Sequence, residues 1–169
     1  MTDSIQTARL RLRRLQESDR EAVTAIAGDL AVSRWLAVVP HPYAASDFDD
    51  FLDIARADPL LWMIEHDGRL VGAISGGDAL GYWLAPAVWG RGLMTEAAAP
   101  VIARSFDAPT REAMLADVHD GNAASARVLA KLGFVVEGPV TSSCRALNRS
   151  EVPARRMRLT RADWAARHA

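Results

Sequence analysis

The sequence predicts a mixed α and β (α+β) fold, built around a mostly antiparallel sheet in a single domain spanning residues 1–169. Short apolar runs separated by turn residues indicate an antiparallel meander. Runs with helical periodicity lie near the amino terminus and again after the centre of the chain. One strand–helix–strand stretch, over residues 80–118, requires a parallel strand pair with a right-handed crossover.

The amino-terminal third predicts one strand and two helices. Arg9–Leu15 alternates basic and apolar residues, which indicates a strand with Leu10 and Leu12 facing inward and the arginines on its solvated face. Ser18–Glu21 has the spacing of a capping box and predicts the start of the first helix. Ser46 precedes the second helix, whose apolar residues lie on one face.

The remaining strands follow from short apolar runs. Leu61–Ser75 predicts two strands around Asp67-Gly68, a dipeptide typical of tight hairpins. The other predicted strands are Leu80–Ala85, Ala113–Val118, Phe134–Gly138 and Pro153–Leu159.

Trp89–Ala97, with the sequence WGRGLMTEA, places two glycines immediately before a helix. Glycine reaches positive φ at little cost and lets a ligand approach the main chain. The first turn of a helix has unpaired N–H groups and a partial positive charge, so this turn is a candidate anion site, most often for phosphate. A tight turn without a ligand is the alternative reading of so short a pattern. Pro100 lies inside the predicted helix and predicts a kink.

A second helix, Asn122–Phe134, has recognisable signals at both ends. Asn122 is the predicted N-cap, and Gly133 lies just past the last turn, where a left-handed residue belongs.

Composition narrows the class of protein. Half of the residues are apolar and the formal net charge is −1, which argues against nucleic-acid binding through bulk electrostatics. The sequence has no apolar run near the about 20 residues of a membrane helix and no secretory signal. The single cysteine, Cys144, fits a reducing compartment, so we expect a cytoplasmic protein. The histidines are scattered without ligand spacing, and we predict no metal site.

Together and in this order, LGYWLAPAVWGRGLMTEA and the Asn-x-x-Ser helix ending in LGF resemble the GNAT superfamily of acyl-CoA N-acyltransferases. They resemble most closely its RimJ/RimL-like branch of ribosomal-protein N-acetyltransferases, and the resemblance covers nearly the whole chain. It implies a GNAT-like fold in which the parallel strands splay apart and helices cover both faces of the sheet. It also implies an enzyme that transfers acetyl from acetyl-CoA, as co-substrate, directly to a primary amine.

The resemblance assigns the coenzyme site. Gly92 takes the central glycine of the family pattern, although Trp89 stands where Gln or Arg is commoner and Met94 where Gly or Ala is usual. The backbone amides implied to hold the pyrophosphate of coenzyme A are those of Gly90, Arg91, Gly92, Leu93, Met94 and Thr95. The backbone implied to pair with the pantetheine arm, and to point an N–H at the acetyl carbonyl, is that of Trp83, Leu84 and Ala85.

The resemblance also implies contacts from the second helix. Asn122 contacts the pantetheine arm, and the Ser125 hydroxyl donates to the departing thiolate. Arg127 and Lys131 lie one turn apart on the same helix and are candidates to reach the coenzyme phosphates. Each also has an ordinary structural reading, as an N-cap, a first-turn serine, or part of a solvated helix face. The helix contains no tyrosine to act as the acid that many other superfamily members use.

The general base is less well specified. His119 follows one of the two strands that are implied to splay apart, and a histidine can accept a proton near neutral pH. The alternative is that His119 is an ordinary surface residue. In RimL-like enzymes a glutamate is the assigned acid–base residue, and Cys144 occupies that position here. Cys144 is interpreted as a passive thiol or, alternatively, as a residue of the acceptor pocket.

The acceptor side is implied to be covered by Trp35–Ala44, with helix packing as the other explanation of Trp35. We expect acetyl-CoA and an amine as partners, no nucleic acid or membrane, and a monomer or homodimer. An α-amine of a protein, peptide or small molecule is favoured. The alternative is an acyl-CoA-binding domain without transfer activity. A nucleotide hydrolase is disfavoured because WGRGLMTE lacks the Gly-Lys-Ser/Thr ending of a P-loop.

Overall fold

The computed structural model describes residues 4–168, which form two antiparallel sheets and the helices packed on them. The strands are β1 (Ser4–Gln6), β2 (Leu10–Arg13), β3 (Leu61–His66), β4 (Arg69–Ser75), β5 (Gly81–Leu84), β6 (Ala113–His119), β7 (Val135–Cys144) and β8 (Arg149–Thr160). The α-helices are α1 (Arg20–Ala27), α2 (Leu30–Ser33), α3 (Ala45–Ala57), α4 (Leu93–Ser105), α5 (Ala123–Leu132) and α6 (Arg161–Arg167). This architecture confirms the predicted mixed α and β fold class.

The sheets are separate rather than continuous. The first has the order β1-β2-β3-β4-β5 and the second the order β6-β8-β7, with every neighbouring pair antiparallel. The Leu80 amide, just before β5, donates to the Leu115 carbonyl of β6 at 2.8 Å. Beyond that contact β5 and β6 belong to different sheets, so a gap opens between the strands that the sequence predicts as a splayed pair.

Helices cover both faces of the first sheet because its strands bury side chains in both directions. On one face, Leu10, Leu12 and Trp62 pack in a single cluster with the apolar side of α4 and with α5. On the other face, Met63 packs with residues of α1 and α3. Leu10 and Leu12 are fully buried, as the alternation of β2 predicts.

The start of α1 differs from the prediction. Residues 17–19 form a 3-10 turn, and α1 begins at Arg20 rather than after a capping box headed by Ser18. Asp19 makes the local bond instead, accepting from the Gln16 amide at 2.9 Å. Its carboxylate also accepts two hydrogen bonds from Arg13, at 2.7 and 2.8 Å. The Arg13 side chain is therefore largely buried, which corrects the reading of every arginine in this strand as solvated.

Helix α4 continues through Pro100 up to Ser105. The closing strands are longer than predicted, so β7 extends to Cys144 and places the end of the β7–β8 hairpin beside residues 33–37. In residues 4–168, no helix combines the length and apolar character needed to cross a membrane.

Candidate active site

The glycine turn between β5 and α4 has open backbone. Gly90 and Gly92 have φ values of 72° and 75°, and Gly92 is the N-cap of α4. A Cβ on Gly90 would meet no heavy atom within 4 Å, and one on Gly92 would meet only Arg9 Nη2, at 3.8 Å. The side chains of Leu93 and Met94 are buried, so the first turn of α4 presents backbone amides at this end. The turn therefore has the form of an anion site.

Glu96 ties this turn to the β1–β2 connection. Its carboxylate accepts from the Thr7 hydroxyl at 2.6 Å, from the Arg9 amide at 2.8 Å and from Arg9 Nε at 2.7 Å. Burial acts to raise the pKa of Glu96, but the hydrogen bonds from Thr7 and Arg9 hold it below its usual value. Arg9 Nη1 also donates to the Arg91 carbonyl at 3.0 Å. Arg9, paired with Glu96, thus places its guanidinium beside the glycine turn, a contact that the solvated-face interpretation missed.

The backbone N–H and C=O groups of β5 point alternately toward β4 and toward the gap between β5 and β6. The Ala85 amide donates to the Val71 carbonyl of β4 at 2.7 Å. Alternate residues of a strand direct their backbone groups to opposite edges, so Trp83 and Ala85 face β4, whereas Leu84 faces the gap. Of the three predicted residues, Leu84 is therefore the one whose backbone faces the gap, and coenzyme contact by Trp83, Leu84 and Ala85 stays a prediction. The Leu84 carbonyl accepts from Trp89 Nε1 at 2.8 Å, and the Leu84 amide is directed into the gap.

The two faces of β5 also carry different side chains. Trp83 packs with the α1 and α3 cluster, whereas Tyr82 and Leu84 lie on the side of α4 and α5. The Tyr82 hydroxyl is 2.8 Å from Ser125 Oγ, and either oxygen can be the donor. When Ser125 donates, the Tyr82 hydroxyl can instead donate to the Ser125 carbonyl, 3.3 Å away. Burial raises the pKa of Tyr82 to about 12, against the opposing effect of its hydrogen bond with Ser125.

Tyr82 is not among the site residues predicted from the sequence. The prediction considers a tyrosine only within the Asn122 helix and not one from a neighbouring strand. The alternation of β5 contained the signal, because it places Tyr82 on the same face as the buried Leu84.

Helix α5 begins as predicted. Asn122 is its N-cap, and its Oδ1 accepts from the Ser125 amide at 3.2 Å. Gly133 closes the helix with a φ of 99°. Lys131 is exposed in the last turn, about 9 Å along the helix axis from Ser125 at 1.5 Å per residue. The structure therefore groups Asn122, Ser125 and Tyr82 and leaves Lys131 outside that group.

His119 ends β6 with its side chain buried, in contrast to the surface-histidine alternative. Its Nε2 is 3.1 Å from Ser142 Oγ of β7. Neighbouring residues of a strand face opposite sides, and Val118 belongs to the cluster that contains α5. His119 and Ser125 therefore lie on opposite faces, with the gap between β5 and β6 separating them.

The segment after α2 covers the His119 face. Trp35 Cη2 would lie 3.8 Å from a Cβ on Gly121, two residues beyond His119. The Ala37 carbonyl accepts from the Arg145 amide at 3.1 Å and from Ser143 Oγ at 3.3 Å, which attaches this segment to the β7–β8 hairpin. A recess of about 540 Å³ lies at their junction. It is lined by Ala37, Val38, Ser143, Arg145, Asn148, Arg149 and Ser150.

Cys144 lies beneath this junction. Its side chain is fully buried, and Sγ lies 3.3 Å from the Arg34 carbonyl. The position that aligns with the family's glutamate is thus occupied by a thiol packed against the end of α2. Among the described residues, no cluster of three or more His, Cys, Asp or Glu side chains is arranged to hold a metal ion.

The acetyltransferase (GNAT) domain profile matches residues 9–135, which contain the glycine turn, His119 and Ser125. The chain belongs to the GNAT acetyltransferase family. It is an acetyl-CoA-dependent N-acetyltransferase, and acetyl-CoA is its co-substrate.

Solved structures share this GNAT fold at low sequence identity. RimJ of Mycobacterium smegmatis, in complex with CoA-disulfide, is 23% identical, with a TM-score of 0.77 and coverage of 90% of this chain and 82% of RimJ. A GNAT-family acetyltransferase from Bacillus anthracis is 21% identical, with a TM-score of 0.77 and coverage of 93% and 98%. The spermidine N-acetyltransferase of Vibrio cholerae, in complex with CoA and spermine, is 16% identical, with a TM-score of 0.74 and coverage of 94% and 99%. No curated protein matches the sequence.

Proposed function

We propose that this GNAT enzyme acetylates a primary α-amine of a protein, peptide or small molecule, as a RimJ/RimL-like, single-domain, cytoplasmic acetyltransferase. The observation that carries the proposal is the two-sided site. The glycine turn and the Ser125 hydroxyl lie on the α5 face, and a buried histidine lies on the opposite face, beside the gap between β5 and β6. The similarity to RimJ of Mycobacterium smegmatis supports the assignment to this branch.

On the α5 face the turn binds the coenzyme. The backbone amides from Gly90 to Thr95 hold the pyrophosphate, and the Arg9 guanidinium adds positive charge beside Gly92. The pantetheine arm follows the edge of β5 toward Ser125, past the Asn122 side chain. The Leu84 amide donates to the acetyl oxygen, where negative charge develops as the amine attacks.

On the opposite face the amine approaches through the gap, below the Trp35 segment. Its nitrogen forms a bond to the carbonyl carbon, and the carbon–sulfur bond then breaks, leaving the electron pair on sulfur. The Ser125 hydroxyl donates a hydrogen bond to that thiolate, because serine is too weak an acid to protonate it wholly. The proton released by nitrogen passes to His119, directly or through one water, and then to solvent.

The acceptor preference follows from how readily each amine loses its proton. His119 Nε2 lies 3.1 Å from the Ser142 hydroxyl. A peptide α-amine, with a pKa of about 8, is roughly a tenth unprotonated at neutral pH, whereas a lysine amine near about 10.4 is below about a thousandth. That difference corresponds to about 3 kcal/mol of deprotonation, which a stronger base would have to supply.

The test compares two peptides between about pH 6.5 and 9. One has a free amino terminus and no lysine, and the other has a blocked amino terminus and one lysine. We expect faster acetylation of the first, and a lower kcat on both peptides in His119→Asn, because a neutral amide cannot accept the proton. Equal or faster acetylation of the lysine peptide at neutral pH would contradict the proposal. Tight CoA binding without turnover on any amine would favour an acyl-CoA-binding domain instead.

A further inference from the structure

Tyr82 and Ser125 form a hydrogen-bonded pair between β5 and α5. The two hydroxyl oxygens are 2.8 Å apart, the usual distance for an O–H···O bond, and either oxygen can be the donor. If Ser125 donates, its only proton is used within the pair and Tyr82 donates to the Ser125 carbonyl, 3.3 Å away. If Tyr82 donates, the Ser125 proton is released for another acceptor, because a serine hydroxyl has one proton and two lone pairs.

We propose that Tyr82 is a positioning residue for acetyl transfer: it donates to Ser125 Oγ and so directs the Ser125 O–H into the gap between β5 and β6, toward the departing thiolate. This inference rests on the proposed function of Ser125. The direction of donation follows from chemistry, since a phenol is a better hydrogen-bond donor than an aliphatic alcohol and the alcohol is the better acceptor. A hydroxyl that accepts one hydrogen bond also becomes a stronger donor in the next.

The pair transfers no proton in the reaction. When the carbon–sulfur bond breaks, its electron pair stays on sulfur, and coenzyme A leaves as a thiolate that accepts a hydrogen bond from Ser125. Tyr82 keeps its proton, because its pKa of about 12 lies well above the about 8.5 of a thiol. Neither hydroxyl has to be reprotonated between turnovers.

The test uses Tyr82→Phe, which retains the ring and removes the hydroxyl, together with Ser125→Ala and the double variant. The kinetic readout is kcat and KM for acetyl-CoA with one good acceptor. The second readout is the pKa of the bound coenzyme A thiol, followed by ultraviolet absorbance of the thiolate against a desulfo-coenzyme A complex. Ser105→Ala is the matched control, since it removes a buried hydroxyl that donates to the Gly76 carbonyl at 2.7 Å, away from the site.

We expect Tyr82→Phe to lower kcat about 3- to 10-fold, the value of one net hydrogen bond, with KM for acetyl-CoA within about twofold. The pKa of the bound thiol should rise. Ser125→Ala should lower kcat about 100-fold, and adding Tyr82→Phe to it should change nothing further, because Tyr82 acts through Ser125. Ser105→Ala should lower the melting temperature and leave kcat and the thiol pKa unchanged.

The inference would be overturned if the two substitutions lowered kcat independently in the double variant. It would also be overturned if Tyr82→Phe changed only KM for acetyl-CoA or left the pKa of the bound thiol unchanged. None of these outcomes would contradict acetyl transfer itself. A Tyr82-dependent thiol pKa in a protein that acetylates no amine would support the hydrogen-bond arrangement and refute the proposed function.

Discussion

Gly92→Ala separates the ligand-binding reading of the glycine turn from a purely structural one. Gly92 has a φ of 75° and lies at the start of α4. Gly68 supplies a matched control, because its φ is 72°, a Cβ there would meet no atom within 4 Å, and it lies in the β3–β4 hairpin turn. The two substitutions impose the same backbone strain, and only one of them is at the candidate anion site.

The expected magnitudes differ for folding and for binding. Alanine in the left-handed conformation costs about 1–2 kcal/mol, so both variants should lose that much free energy of unfolding. At Gly92 the added methyl group also occupies open space at the start of α4, 3.8 Å from Arg9 Nη2. Loss of one charge-assisted hydrogen bond to phosphate weakens binding by about 1.5–3 kcal/mol, which raises the Kd for acetyl-CoA about 10- to 100-fold.

Calorimetric titration with acetyl-CoA and thermal unfolding followed by circular dichroism would be carried out on both variants. We expect similar losses of stability and a raised Kd in Gly92→Ala alone. If folded Gly92→Ala binds acetyl-CoA as tightly as Gly68→Ala does, the turn does not hold the pyrophosphate, and its glycines serve the chain geometry only.

Two further predictions concern Arg9, just before β2, and the buried pair of Arg13 and Asp19. Arg9→Met should raise the Kd for acetyl-CoA about 3- to 10-fold at low salt. This difference should shrink at about 0.5 M salt, because salt screens charge interactions. A difference that persists at high salt would contradict an electrostatic role for Arg9. Asp19→Asn should lower the free energy of unfolding by about 2–3 kcal/mol in urea titrations, because it disrupts a largely buried pair while Arg13 keeps its bond to Glu65. Burial opposes ionisation of Asp19, but the hydrogen bonds from Arg13 and Gln16 lower its pKa below the usual 3.8, so its stabilisation is present above that pH and is lost as pH falls through the lowered pKa. Asp19→Asn should lack this acid-dependent loss, and an identical pH profile in both proteins would refute the assignment.

The features that the sequence by itself determined are those fixed by neighbouring residues. The Asp67-Gly68 turn, the Asn122 cap and the burial of Leu10 and Leu12 all follow from backbone preferences or alternation within a few positions. The glycine turn before α4 belongs to the same class, because positive φ and unpaired helix amides are local properties. The family resemblance rests on these local features, and the amino-acid sequence alone is therefore enough to reveal it.

The contacts that only the tertiary structure decided join residues far apart in the chain. Tyr82 and Ser125 are 43 positions apart, Arg9 and Glu96 are 87 apart, and His119 and Ser142 are 23 apart. A side chain in any of these pairs can be assigned to a face of its own element from sequence. Its partner depends on how the two sheets diverge after Leu80 and on which helix then covers each face. Such packing sums many weak contacts over the whole chain, so no short stretch of sequence encodes it.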